Sequence, residues 1–200
     1  MLIWINGAFG AGKTQTAFEL HRRVPNSHVA DPEVLGFALH KTLPLEARTD
    51  FQDLPQWRSG VVTTLAQADA ARDGPVIVPM TIVRHDYFDE IIGGLRAAGV
   101  DVRHYALLAS PETLLKRLST RIAFIRSGLR RETWAVQQIP RCVAALSAER
   151  YAIHVPTDEV STNQVVERIA VDAGLALTRP RLGSWRYQFR RLAVGVRHVR

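Results

Sequence analysis

Continuous apolar runs alternate with longer stretches of helical periodicity along this chain, the pattern of an α/β domain built on a parallel sheet. Runs at Leu2–Asn6, Ser27–Ala30, Pro75–Met80, Val102–Ala109 and Tyr151–Val155 predict strands. They are apolar throughout rather than alternating, as expected where helices cover both faces of a sheet. Helical spacing predicts helices at Gly12–Arg23, Pro32–Thr42, Leu54–Arg72, Tyr87–Ala98, Pro111–Arg121, Thr133–Glu149 and Thr162–Ala173. Asp31-Pro32 and Ser110-Pro111 each set a capping side chain before a proline, with Glu in the next turn. Gly99 and Gly174 stand where helix-ending glycines belong. The expected architecture is a three-layer sandwich around a five-stranded parallel sheet, with one domain over residues 1–178 and a tail over 179–200.

Composition narrows the class. The 200 residues are 46% hydrophobic and 22% charged, which excludes disordered and collagen-like chains. The single cysteine, Cys142, rules out an internal disulfide framework and fits a reducing cytosol. Its position inside a helix suits packing. No apolar run approaches a membrane span, and the N-terminus lacks the basic start and cleavage site of a signal peptide, so a cytoplasmic protein is expected. The seven histidines show no metal-ligand spacing. The net charge of +7 belongs to the tail: from Arg179 onward there are seven arginines and no acid, leaving residues 1–178 neutral. A neutral body argues against a broad nucleic-acid face.

The strongest chemical signal is Gly7-Ala8-Phe9-Gly10-Ala11-Gly12-Lys13-Thr14, which fits G-x-x-x-x-G-K-S/T at every fixed position. A predicted strand precedes it and a predicted helix follows, the context this P-loop requires. Gly7 and Gly12 let the backbone wrap close around phosphate oxygens. The loop N–H groups and the helix N-terminus supply partial positive charge, Lys13 adds a full one at the β/γ-phosphates, and the Thr14 hydroxyl suits Mg²⁺. A purine nucleoside triphosphate is the expected ligand. No Asn-Lys-x-Asp guanine motif appears, which disfavours a GTPase. The third strand ends without the acid of a Walker B segment, an omission that small-molecule kinases tolerate. Such kinases close an Arg-rich lid, and Lys116, Arg117, Arg121, Arg126, Arg130, Arg131 and Arg141 fall where one belongs. Arg117 and Arg121, four apart on one helix, can point the same way. A solvated basic face is the plainer alternative.

On the acceptor side, Asp31 follows the second strand at the carboxyl edge, where open α/β sheets bind ligands. It is placed to orient or deprotonate an acceptor hydroxyl, to help hold Mg²⁺ through water, or simply to cap the Pro32 helix. Glu33 ranks below it. Phe37, Phe51, Trp57 and Arg58 lie between the second and third strands and suit a ring-bearing acceptor, with ordinary core packing as the alternative for the aromatics. Thr81, ending the third strand, faces the phosphate region as a hydrogen-bond donor.

Together these residues resemble the bacterial tunicamycin-resistance protein family. The likeness rests on Trp4 to Gly10, Lys13 to Ala17, Asp31-Pro32-Glu33 with Gly36-Phe37, Phe51-Gln52 with Trp57-Arg58, Val78 to Val83, Glu112 to Leu118, and Trp134 with Gln138-Ile139 and Arg141-Cys142. It spans about residues 1–175. The resemblance implies an ATP-binding protein, similar in fold to nucleoside and small-molecule kinases, that protects bacteria from a lipophilic, uridine-containing antibiotic. Carried over, Gly7 to Thr14 bind ATP, and Asp31, Trp57, Arg58, Arg117 and Arg121 form the site. The expected activity is phosphorylation of tunicamycin or a nucleoside-like relative. The alternative is an ATP-binding protein that sequesters the drug at the membrane. Two departures stand out: a long lid over Ile122–Arg131, and Pro140 interrupting a helix, where proline removes a hydrogen bond.

In the tail, Trp185, Phe189, Leu192, Val196 and Val199 form a narrow helical stripe flanked by Arg186, Arg190 and Arg197. A basic amphipathic helix reads as a peripheral membrane contact, suited to a lipophilic substrate, with packing back on the domain or a partner interface as alternatives.

Overall fold

The computed structural model describes residues 1–122, 134–151 and 153–183, with the backbone alone at 121 and 122. Five parallel strands, β1 (Leu2–Gly7), β2 (His28–Val29), β3 (Val76–Pro79), β4 (Val102–Leu108) and β5 (His154–Pro156), form one sheet in the order β2-β3-β1-β4-β5. The central strand β1 is buried at every residue, as its unbroken apolar run requires. Trp4, fully buried, donates its indole N–H to Met80 O at 3.1 Å, so this large core side chain also finds its polar partner.

Helices cover both faces. They are α1 (Lys13–Arg23), α2 (Pro32–Thr42), α3 (Pro55–Ala70), α4, α5 (Pro111–Ile122), α6 (Ile139–Leu146) and α7 (Thr162–Asp172). The segment α4 is one helix in three parts: His85–Phe88 and Gly94–Ala97 joined by a π-turn over Asp89–Gly93. Local signals explain the ends. Asp31 caps α2 with Pro32 in the first turn, and Ser161 and Gln164 form a reciprocal capping box on α7. His21, Arg22 and Arg23 fill the last turn of α1, where cations oppose the helix dipole.

Three elements differ most from expectation. The edge strand β2 is two residues long, because Asn26 turns the chain with φ 55° just before it. The last strand begins at His154, and Tyr151 lies in a 3-10 turn, fully buried, with its hydroxyl on Val83 O at 2.9 Å. The helix expected over Thr133–Glu149 is broken at Gln138: residues 134–137 are helical, and Pro140 sits in the first turn of α6, where a missing N–H costs nothing.

The start of the tail is docked. Thr178 N–H donates to Arg23 O at 2.9 Å, Arg23 Nε donates to Arg179 O at 3.1 Å, and Arg22 reaches Pro180 O at 2.6 Å. Arg181 forks onto Glu167 of α7, which also holds Arg23 at 2.9 Å. Residues 178–181 thus strap the end of α1 to α7, three residues beyond the expected domain boundary. The stripe from Trp185 onward, and Arg126, Arg130 and Arg131 of the expected lid, lie outside the described residues. Among the described residues no helix is long and apolar enough to cross a membrane.

Candidate functional site

The P-loop leaves the end of β1 and enters α1. Gly7 is squeezed: a Cβ there would stand 3.1 Å from both Leu107 O and the Ala11 side chain, so only glycine lets the loop lie against β4. Gly12 has open space but φ 98°, a left-handed conformation at the helix N-cap that a side chain would strain. Its carbonyl accepts from Thr16 N at 2.9 Å, starting α1. Lys13 folds back over the loop, donating to Gly7 O at 2.9 Å and Ala8 O at 3.1 Å, with its ammonium 5.4 Å from the Phe9 ring. Trp134 packs edge-on against Phe9 at 5.1 Å. Lys13 and Thr14 are half-buried at the mouth of the loop.

Beneath the loop lies a residue that motif reading missed. Asn6 is completely buried, and its Oδ1 accepts from Gly7 N at 2.8 Å and Ile82 N at 3.1 Å. Its Nδ2 donates to Ile82 O at 2.8 Å and approaches His104 Nε2 at 3.2 Å. Two backbone donors to Oδ1 fix the orientation of the amide, so its Nδ2 is the group that faces His104 Nε2. The signal for Asn6 was its place immediately before Gly7; nothing in the chain announces His104, ninety-eight residues away.

A small cleft of about 100 Å³ opens beside the loop, lined by Ala8, Leu107 to Ala109, Val143, Leu146, Ser147, Pro156 and Asp158. Hydrogen bonds from Thr113 and from Ser110 backbone and hydroxyl hold the Asp158 carboxyl below the usual carboxylate range. Cys142 is buried in α6, and that burial pushes its thiol pKa up, which suits packing rather than chemistry.

The acceptor-side residues gather at the same sheet edge, though several do something other than expected. Asp31 caps α2, accepting from Glu33 N at 3.0 Å. Trp57, read as a pocket wall with core packing as the alternative, is 0% exposed and donates its indole N–H to Pro32 O at 3.0 Å. It pins the first turn of α2, and through it the backbone that carries Asp31. Phe37 and Trp57 both pack on Phe51, at 6.0 and 5.3 Å between ring centroids. Phe51 gets there because Gly36 leaves its place open; a Cβ would meet the ring at 2.5 Å.

Arg58 is committed within the protein. Its Nε donates to Glu90 Oε2 at 2.6 Å, its Nη1 to Gln52 O at 2.7 Å, and its guanidinium lies 4.2 Å over the Tyr87 ring. Arg84 covers the same ring at 4.0 Å and pairs with Asp86, while Tyr87 donates its hydroxyl to Asp53 at 2.7 Å. Burial, then the Asp53 carboxylate, raises the Tyr87 pKa and keeps it a donor. Arg84, Tyr87 and Glu90 were not singled out by sequence, since no spacing rule joins them. Thr81 donates to Gly7 O at 2.8 Å, so its hydroxyl braces the loop. Arg117 also turns inward, donating to Thr157 Oγ1 at 3.2 Å and Thr157 O at 2.5 Å at the end of β5. Arg121 is on α5; its side chain lies outside the described residues.

A parallel sheet of this order, with a glycine loop closed by Lys13 and Thr14 at its carboxyl edge, defines an α/β P-loop protein of kinase-like fold. Residues 2–139 match the AAA domain family, to which the chain belongs. The tunicamycin resistance protein of Deinococcus radiodurans has a TM-score of 0.73 and 34% identity, with 90% of this chain and 99% of that one covered. The chain is therefore a member of the tunicamycin-resistance protein family. More distant likenesses bear on the fold alone. A gluconokinase from Sinorhizobium meliloti 1021 has TM-score 0.60 and 16% identity over 86% of this chain and 90% of its own. The APS kinase CysC of Mycobacterium tuberculosis, solved with AMPPNP and APS, has TM-score 0.56 and 15% identity over 86% and 95%. No curated protein matches the sequence.

Proposed function

We propose that this chain is an ATP-dependent phosphotransferase acting on tunicamycin or a similar nucleoside-like small molecule. One observation carries the reading: the loop from Gly7 to Thr14 and the carboxylate of Asp31 stand at the carboxyl ends of two parallel strands in one sheet. The loop suits a triphosphate. Its backbone approaches closely at Gly7, α1 points its N-terminus at the mouth, and Lys13 rests on carbonyl oxygens that a phosphate oxygen outbids in charge. The apolar cleft beside Ala8 suits the base. Thr14 would hold Mg²⁺, which would screen phosphate charge when bound.

In the transfer, the acceptor hydroxyl oxygen forms a bond to the γ-phosphorus while the bond from that phosphorus to the bridging β–γ oxygen breaks. Asp31 orients the hydroxyl and takes its proton; Lys13 stabilises the charge that shifts toward the leaving diphosphate. Trp57 keeps Asp31 in place by holding α2. Likeness to the Deinococcus protein supports tunicamycin as the acceptor class. The basic stripe from Trp185 to Arg200 would add reversible contact with an anionic membrane, where a lipophilic acceptor resides.

The test is incubation of the purified protein with Mg·ATP and tunicamycin, followed by mass spectrometry of the drug. A gain of one phosphoryl mass that depends on ATP is expected. Unmodified drug from a protein that still protects cells would instead establish sequestration.

A further inference from the structure

The Gly7 carbonyl carries two side-chain donors at once. Thr81 Oγ1 donates to it at 2.8 Å and Lys13 Nζ at 2.9 Å. Gly7 is buried, and a buried carbonyl needs a partner. Lys13 has three N–H donors, so serving both a β- and a γ-oxygen draws at least one of them from Gly7 O or Ala8 O, and a second donor keeps the Gly7 carbonyl satisfied. Thr81 is 7% exposed on the segment leaving β3, and its own carbonyl accepts from Gln52 Nε2 at 3.1 Å. Gln52 belongs to the 3-10 turn Phe51–Asp53, beside Arg58 and Tyr87. Hydrogen bonds thus run from the acceptor side through Gln52, Thr81 and Gly7 to the ammonium of Lys13.

We propose that Thr81 is a positioning residue whose hydroxyl keeps the Gly7 carbonyl satisfied when Lys13 turns to the phosphates, with Gln52 tying that hydroxyl's segment to the acceptor side. This rests on the reading of the loop as a triphosphate site. Without the hydroxyl, the Gly7 carbonyl depends on an ammonium that is shared with the phosphates, so the cost falls on nucleotide binding.

Calorimetric titration of Mg·AMPPNP into wild type, Thr81→Val, Thr81→Ser and Gln52→Leu tests this, with circular dichroism confirming the fold. Thr81→Val is expected to weaken binding about tenfold. Thr81→Ser keeps the hydroxyl and stays within about twofold of wild type, a rescue that a purely volume-filling role would not require. Gln52→Leu is expected to weaken binding about threefold, through a looser Thr81. Wild type that fails to bind overturns the triphosphate reading itself. Wild type that binds while Thr81→Val matches it, or Thr81→Ser as weak as Thr81→Val, overturns the role of Thr81. If Thr81→Val does not fold, Gln52→Leu decides: threefold weakening with intact Thr81→Ser supports the relay, and unchanged affinity overturns it.

Discussion

From Gly7 to Thr14 the site is made of main chain. Its shape comes from glycines that admit a close approach or a left-handed φ, and from carbonyls and amides held by Asn6, Thr81 and Lys13. From Asp31 to Glu90 the site is made of side chains drawn from four separate segments: Asp31, the Gln52-to-Arg58 stretch, Thr81, and Arg84 to Glu90. On the proposed reading the first region takes any triphosphate tail, because a phosphate presents the same oxygens whatever it is attached to. The second presents alternating guanidinium, carboxylate and phenol groups, a surface that depends on the identity of each side chain. On that reading phosphate binding and acceptor handling are stored in different kinds of structure, and they should fail in different ways.

Asp31→Asn should produce the largest separation. Asparagine caps a helix as well as aspartate does, so the melting temperature should stay put while phosphoryl transfer to tunicamycin falls by about two to four orders of magnitude. A radiolabelled-ATP transfer assay measures it. Nucleotide affinity should remain near wild type, which would show that the acceptor side can be disabled alone.

Arg58→Lys sharpens the comparison from the side-chain half. Lysine cannot reproduce contacts to Glu90, Gln52 O and the Tyr87 face together, leaving partly buried groups unpaired. The expected loss is about 2 kcal/mol, or roughly 4–8 °C in melting temperature by calorimetry, with weaker acceptor binding. Substitution in the main-chain half would leave acceptor affinity intact.

A smaller effect serves as the control, at the strap far from both regions. Hydrogen bonding from Arg181, then from Arg23, lowers the Glu167 pKa to about 2 from an ordinary 4.5. A depressed carboxyl stabilises the fold above its unfolded value, and that contribution is lost as pH falls through the folded one. The protection factor of the Thr178 amide against hydrogen exchange should therefore hold down to about pH 4.5 and fall between there and pH 2. Glu167→Gln should lower it at pH 7 and change neither nucleotide nor acceptor binding.

The same contrast explains what was legible beforehand. The sheet, its neighbours and the loop could be read because buried strands and glycine-defined turns are written in local order: Leu2 to Asn6 as an apolar run, Gly7 to Thr14 as fixed spacing. Asp31 was legible through Pro32, which marks a helix start. The roles of Trp57, Arg58, Thr81 and Arg117 were not. Each residue type fitted both a ligand and an internal partner, and the choice was made by Pro32, Glu90, Gly7 and Thr157, separated from them by 25, 32, 74 and 40 residues. His104 and the role of Asn6 escaped for the same reason: a buried hydrogen-bond junction has no period and no motif.

The account turns on the loop binding the phosphate tail through its one ammonium group. Titrating Mg·AMPPNP into wild type and Lys13→Met by calorimetry tests this directly. Saturable binding by wild type, weakened roughly a hundredfold in the variant while its circular dichroism stays unchanged, is the predicted result. Equal affinity in the two proteins would contradict it.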